Sequence, residues 1–338
     1  VPLMMITIAR RAGYALLVVL LVTMLTVALL SLTPGSVAAV ILGESATPER
    51  IAALNAELGL DRPLWEQYGT WLLNALQGDL GTSPVTGVPV MDAIMSRLPV
   101  TLELAVLGLA IALATSILLA VLSASFPNNP IDRGIVALTS VFLATPAFVA
   151  GPILILVFAL TLRAFPVFGW VPLADDVAMN LRSAFLPAVA VAINEIAAFH
   201  RVLRADLITT LREDFIAAAR AKGMSRSYVL FRHAFRPSSF SLVTIAGINL
   251  GRLIGGTIVI ETLFGLPGLG LLIATSIQTR DVITVQGVVT FIAVVYVGIN
   301  MLVDVAYGLL DPRVRTATRA RKKKPAVSAP HAQKAVAA

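Results

Sequence analysis

The chain of 338 residues has no cysteine and only three histidines, His200, His233 and His331. Disulfide frameworks and thiolate metal centres are excluded, and the histidines never approach metal-ligand spacing. None of the five lysines follows a glycine, so there is no Gly-x-x-x-x-Gly-Lys-[Ser/Thr] loop to cradle a nucleoside triphosphate. Charge is scarce as well. Charged residues make up 13% of the chain and hydrophobic residues 57%, a balance outside that of soluble domains.

In place of charge stand apolar runs long enough to cross a bilayer, which takes about 20 residues each. Six are read, at 12–32, 101–123, 135–161, 184–203, 241–262 and 285–309. The third contains Pro146 and Pro152, so a kink or tilt is expected within it. The first is followed by Ser36-Val-Ala38, a small-x-small pattern like a signal cleavage site. It is longer than the apolar core of a secretory signal, about 7–15 residues, and is read as a retained span.

Basic residues orient these runs. Arg10, Arg11, Arg133, a cluster between 201 and 236 and another between 313 and 334 fall on the side of the termini. Arg50, Arg62, Arg97, Arg163, Arg182 and Arg280 fall on the other, and Arg252 lies within a span. The positive-inside rule then places both termini in the cytoplasm. The net charge of +7 follows from this topology, and no nucleic acid is needed to explain it. The tail 313–338, with Arg321-Lys-Lys-Lys324, is read as a solvated, disordered end that suits the anionic headgroups of membrane lipid.

The large loop 33–100 is expected to be structured. Thr47-Pro48-Glu49 starts a helix that Gly59 ends, and a second helix begins near Pro63. Its Trp65, Tyr68, Trp71, Leu72 and Leu76 suit a membrane interface.

The most informative piece is polar. Asp214-Phe-Ile-Ala-Ala-Ala-Arg-Ala-Lys-Gly223 lies in a loop, 204–240, between two spans. Leu203, Leu207, Leu211, Phe215 and Ala218 fall at helical spacing and are expected to form one apolar stripe. Ala217, Ala218, Ala219 and Ala221 let another surface approach the backbone. Gly223 can take the left-handed conformation that stops a helix, and Ser225 can cap a second helix reaching Arg236.

This run resembles the EAA loop of ABC-importer permeases, and Ala-Arg-Ala-Lys-Gly223 with His233 is similar to the peptide/nickel branch. Other pieces in register extend the resemblance over about 57–315. They are Leu58-Gly-Leu-Asp-Arg-Pro63, Gly78-Asp-Leu-Gly-Thr-Ser83, Pro89-Val-Met-Asp-Ala-Ile94 and Arg97-Leu-Pro-Val-Thr-Leu-Glu103. Near the other end stand Glu261-Thr-Leu-Phe-Gly-Leu-Pro-Gly-Leu-Gly270, Arg280-Asp281, Gln286-Gly287, Asp304 and Asp311-Pro-Arg313. Three positions depart from the family pattern: Ser241 stands where a proline is usual, and His200 and Leu203 stand where a small residue and a threonine are commoner.

The resemblance implies an all-α polytopic membrane protein of the type I importer permease fold. It would have six transmembrane helices in residues 1–312, a structured extracytoplasmic loop and cytoplasmic coupling helices, and lie in the inner membrane. The ATPase-coupling residues carried over are Asp214, Ala217, Ala218, Arg220, Lys222, Gly223 and Ser225. The implied partners are a second homologous permease, two ABC ATPase subunits and an extracytoplasmic solute-binding protein. ATP and Mg would sit on the ATPases, leaving this chain non-catalytic and without a cofactor of its own. Short peptides are the implied cargo, with nickel complexes and glutathione as other family substrates.

Two further expectations come from the residues themselves. Glu195 and Arg252 fall near mid-span, where an uncompensated charge is costly, so they either pair or both line a pathway. Glu261, Phe264, Pro267, Gly268 and Gly270, ahead of Leu271-Leu-Ile-Ala274, form either a re-entrant outer gate or a plain loop with a surface helix. Readings from other classes fare worse. A secondary transporter would show repeated halves with matching broken spans, and neither is visible. An intramembrane enzyme would rest on Gly223-Met-Ser225, which lies in a polar loop without a buried base.

Overall fold

In a computed structural model, which describes residues 2–32, 36–57 and 59–310, every expected span is helical. Helix α1 runs Pro2–Ser31, followed by three short helices, α2 Val37–Leu42, α3 Pro48–Glu57 and α4 Leu64–Leu76. Then come α5 Val90–Ser125, α6 Pro130–Ala144, α7 Ala147–Leu154 and α8 Val177–Thr210. The polar loop that follows holds α9 Asp214–Ala221 and α10 Arg226–Tyr228. The chain closes with α11 Phe235–Gly256, α12 Ile258–Phe264, α13 Leu269–Gln278 and α14 Val282–Leu310. The tail 313–338 and Asp311-Pro-Arg313 lie outside the described residues.

Helix α5, α8, the run Arg226–Gly256 and α14 are each long and apolar enough to cross a membrane. Helix α1 spans 30 residues and packs against α14. The helices outrun the apolar stretches that announced them because their polar ends continue the same backbone pattern. Pro99 near the start of α5 and Pro187 in α8 are accommodated within continuous helices.

The third span differs from the expected kink. It is broken outright, with the two arms Pro130–Ala144 and Ala147–Thr161 bent by 106°. Pro146 offers no amide hydrogen and disfavours helical backbone in the residue before it; Thr145 accordingly sits at φ −92°, ψ 112°. Beyond Pro152 the helix widens into a π-helical turn, Ile155–Thr161.

The fifth span also differs. A second coupling helix ending at Arg236 was expected, but α10, a π-helical turn Val229–Ala234 and α11 run on without a break. Pro237 falls in the first turn of α11, directly after the π turn, where its missing donor is tolerated.

Three buried clusters hold the bundle together. One joins α5, α8, α9 and α11 through Ala120, Ala124, Phe199, Leu203, Leu207, Ile216 and Leu242. A second joins α5, α8, α11 and α12 through Leu104, Leu186, Ile254, Ile260 and Phe264. The third packs the end of loop 33–100 against α13 and α14 through Leu80, Val90, Ile94, Leu269 and Val288. Polar ties reinforce that end: Trp71 Nε1 donates to the Leu80 carbonyl at 3.1 Å, and Ser83 Oγ donates to the buried Asp281 carboxylate. Helices α3 and α4 form where the sequence places them, with Gly59 at φ 66° after α3. Of the expected interfacial side chains, Trp65 and Leu76 are exposed, whereas Tyr68 turns inward to share a 2.7 Å hydrogen bond with Thr23 of α1.

Candidate functional site

Three places gather the residues singled out by the sequence. The first is the polar loop between the fourth and fifth spans. Helix α9 ends where Gly223, at φ 79°, donates its N–H to the Arg220 carbonyl at 2.9 Å, and Met224 N reaches back to Ala219 O. Ser225 then caps α10, its side chain accepting from Tyr228 N at 3.3 Å. Asp214 in the first turn and Arg220 in the last complement the helix dipole.

The expected apolar stripe does not continue through this element. Helix α8 stops at Thr210 and α9 starts afresh at Asp214, so the three-residue turn between them rotates the helical register. Leu203 and Leu207 are buried, but beyond the turn the buried positions are Ile216 and Ala219. Phe215 and Ala218 face outward instead, together with Asp214, Ala217, Arg220, Ala221, Lys222 and Ser225. Phe215 is 49% exposed, and in the turns that follow α9 Tyr228 and Phe231 expose 51% and 59%. This segment thus leaves small side chains and large aromatic ones bare, and exposed apolar surface of that kind is found at interaction sites.

The second place is mid-bundle. Glu195 on α8 is buried and Arg252 on α11 reaches it, with Arg252 Nη2 donating to Oε1 and Asn249 Nδ2 donating to Oε2. The two charges are therefore a direct pair. They are unequal in setting, however: the Glu195 side chain is 4% exposed and the Arg252 side chain 61%. Arg252 shares its open face of α11 with Ile248, four residues earlier. Hydrocarbon would penalise an arginine in the middle of such a face, so that face suits protein or water.

The third place is the hairpin after the fifth span. Helices α12 and α13 meet at 80°, turning through Gly265 in the left-handed region. Glu261, wholly buried, holds the turn shut: Thr101 Oγ1 and Thr257 Oγ1 each donate to Oε1 at 2.8 Å, and Gly270 N donates to Oε2 at 2.6 Å. Thr101 also accepts from Leu269 N at 2.9 Å. A Cβ on Gly270 would lie 2.3 Å from Ile258 Cα, and one on Gly268 would lie 2.3 Å from the Glu261 carboxylate. The glycines are thus required by close packing. Phe264 is buried against α7 and Pro267 is exposed at the tip.

Sequence reasoning located Glu195, Arg252 and Glu261 but missed their partners Asn249 and Thr101. Asn249 precedes Arg252 by three residues on the same helical face, a spacing that could have indicated it. Thr101 carried no such signal. Among the described residues no cluster of His, Asp and Glu could hold a metal ion.

Residues 116–316 match the family described as the binding-protein-dependent transport system inner membrane component, and residues 4–105 match its N-terminal membrane component. A Brucella abortus (strain 2308) protein with a provisional peptide-transport-permease name is 40% identical over 308 residues, covering 91% of this chain and 98% of that one. The dipeptide transport system permease protein of Escherichia coli (strain K12) is 33% identical over 332 residues, with the same coverage. A solved amino acid ABC transporter structure, with histidines, covers 66% of this chain and 94% of its own at TM-score 0.47 and 19% identity. On the family match and the two near-full-length relatives, the chain belongs to the binding-protein-dependent transport system inner membrane components.

Proposed function

We propose that this chain is one permease subunit of an ATP-driven importer of short peptides. The observation that carries the reading is the exposed side of α9, with Ala217, Ala218, Arg220 and Lys222 presented outward and Ile216 and Ala219 anchored in the bundle. A helix rooted on one side and open on the other can pass a push from a partner into the spans. The partner is a separate ATPase, present twice in the complex, holding ATP and Mg that this chain has no loop to bind. A second, homologous permease covers the open face of α11, and a solute-binding protein delivers cargo on the far side. The termini are placed in the cytoplasm, a reading that the distribution of basic residues supports. This chain itself catalyses no reaction.

In this mechanism ATP closes the ATPase pair, α9 moves with it, and the spans exchange an inward-facing for an outward-facing pathway. The exchange is driven only if ATP binds the two states unequally. The Glu195–Arg252 pair offers a cation to the carboxylate of a passing peptide without leaving a lone charge in the membrane. The α12–α13 hairpin, bent back toward the bundle, forms the outer edge of the pathway. Peptide cargo is supported by the names of the two near-full-length relatives.

The test is uptake into proteoliposomes holding the complete transporter, with labelled di- and tripeptides, a nickel complex and glutathione compared. ATP-dependent entry of the peptides is expected. Entry of only the nickel complex or glutathione would replace peptide as the substrate class, and ATP-independent uptake would overturn the importer reading.

A further inference from the structure

At the coupling end of the bundle, away from both the α9 surface and the mid-span pair, three elements converge on one buried carboxylate. Asp132, in the first turn of α6, is 2% exposed. Arg204 of α8 grips it with two parallel bonds, Nε to Oδ1 at 2.8 Å and Nη2 to Oδ2 at 2.7 Å. Ser123, in the last turn of α5, donates to Oδ1 and accepts from Arg204 Nε at 2.9 Å. Asn128, at φ 63° in the α5–α6 corner, donates its backbone N–H to Oδ2 at 2.8 Å. Every lone-pair direction of the carboxylate has a use.

A fork of this kind is strong and directional, and removing one side of a buried pair leaves an uncompensated charge. Its position matters more than its strength. Arg204 follows Leu203 and precedes Leu207 on α8, and both leucines pack with Ile216 of α9 and with Ala120 and Ala124 of α5. A displacement of α9 therefore reaches α8 and α5 through a soft apolar contact, which by itself lets the helices slide. The Arg204–Asp132–Ser123 constellation removes that freedom.

We propose that Arg204, Asp132 and Ser123 are positioning residues for energy coupling. They clamp the ends of α5, α6 and α8 so that a stroke of the coupling helix moves all three as one body. The proposal rests on the coupling reading above. It predicts that the clamp stays closed through the whole cycle, unlike a gate.

The test uses the assembled transporter in proteoliposomes, with peptide uptake and ATP hydrolysis measured together. Arg204→Lys keeps the charge but loses the fork, and Ser123→Ala keeps the fork but frees α5. Both are milder than Asp132→Asn, and each variant is first checked for co-purification with its partners. Uptake per ATP is expected to fall about tenfold in Asp132→Asn, for an interaction difference of about 1.4 kcal/mol, and less in the two milder variants. ATP hydrolysis continues in all three. A Ser123→Cys/Arg204→Cys double variant, unambiguous because the chain has no other cysteine, should be uncoupled until a short bis-maleimide bridges the pair, and then recover. An unchanged uptake-to-ATP ratio in all three variants would overturn the clamp, as would a bridge that arrests transport. Gly223→Val serves as the control. If it too leaves the ratio unchanged, the coupling reading itself fails; if it uncouples while the clamp variants do not, only the clamp fails.

Discussion

Thr101 and Glu261 lie 160 positions apart in the chain, yet Thr101 Oγ1 donates to the Glu261 carboxylate at 2.8 Å in a fully buried site. Through that bond the start of the second span holds the hairpin that follows the fifth. Thr101 also accepts from Leu269 N, so one hydroxyl fixes both the carboxylate and the first turn of α13. The hairpin is thereby attached to α5 as a rigid wedge, and its movement is expected to follow that of α5.

Glu261→Gln tests this wedge. The amide keeps the shape but puts a donor where the carboxylate accepts from Thr101, Thr257 and Gly270. Leaving a buried donor unpaired costs about 1–3 kcal/mol. A lower thermal midpoint of the purified transporter is expected, with Thr101→Val showing a smaller decrease. Midpoints equal to wild type in both variants would mean that the hairpin is held by packing alone.

Substitution at Gly270 tests close packing at the same place. A methyl group there would meet the backbone of Ile258, which cannot swing aside as a side chain can. Gly270→Ala is expected to spring the hairpin open, abolishing uptake while the permease still inserts and binds its partners. Single cysteines report the change: at Leu269 and Ile273, buried in the native hairpin, maleimide labelling should appear only in the Gly270→Ala background. Labelling at both sites in the native background would contradict the described packing.

Much of this was legible in the sequence, for local reasons. Gly223 and Ser225 act through their own backbone neighbours, so a helix stop and a cap could be read directly. Glu195 and Arg252 stood out because charge in an apolar run is costly, but the sequence left pairing and pathway lining as alternatives. The stripe through Phe215 and Ala218 was misread because a three-residue turn at Leu211 to Glu213 shifts the helical phase, and periodicity does not report a turn without a glycine or proline. Thr101, Ser123 and Asp132 escaped notice because their roles depend on which helices meet, which no nearby residue encodes.

Exchange of the mid-span charges separates pairing from independent roles. Glu195→Arg or Arg252→Glu alone places two like charges together within the membrane and should abolish assembly. The double exchange restores opposite charges, although Asn249 then presents its amide hydrogens to an arginine. Partial recovery of assembled transporter is expected. No recovery at all would mean that each residue acts on its own in the pathway.

Gly223→Val forces a β-branched residue into left-handed backbone, a strain of about 1–2 kcal/mol. The neighbouring space is open, so the effect comes from conformation and not from a clash. ATP hydrolysis that no longer drives uptake is expected, in a transporter that still assembles. Normal uptake per ATP in this variant would show that the turn between α9 and α10 has no part in coupling.

If the open side of α9 is where the chain meets its ATPase, cross-linking from that side will capture the ATPase. Single cysteines at Ala218 and Lys222, on the open side, and at Ile216, on the buried side, are compared in the assembled transporter with a maleimide-to-amine cross-linker. ATPase adducts are expected from 218 and 222, changing in yield when nucleotide is trapped, and none from 216. ATPase that co-purifies with the permease yet forms no adduct at 218 or 222 would contradict this placement.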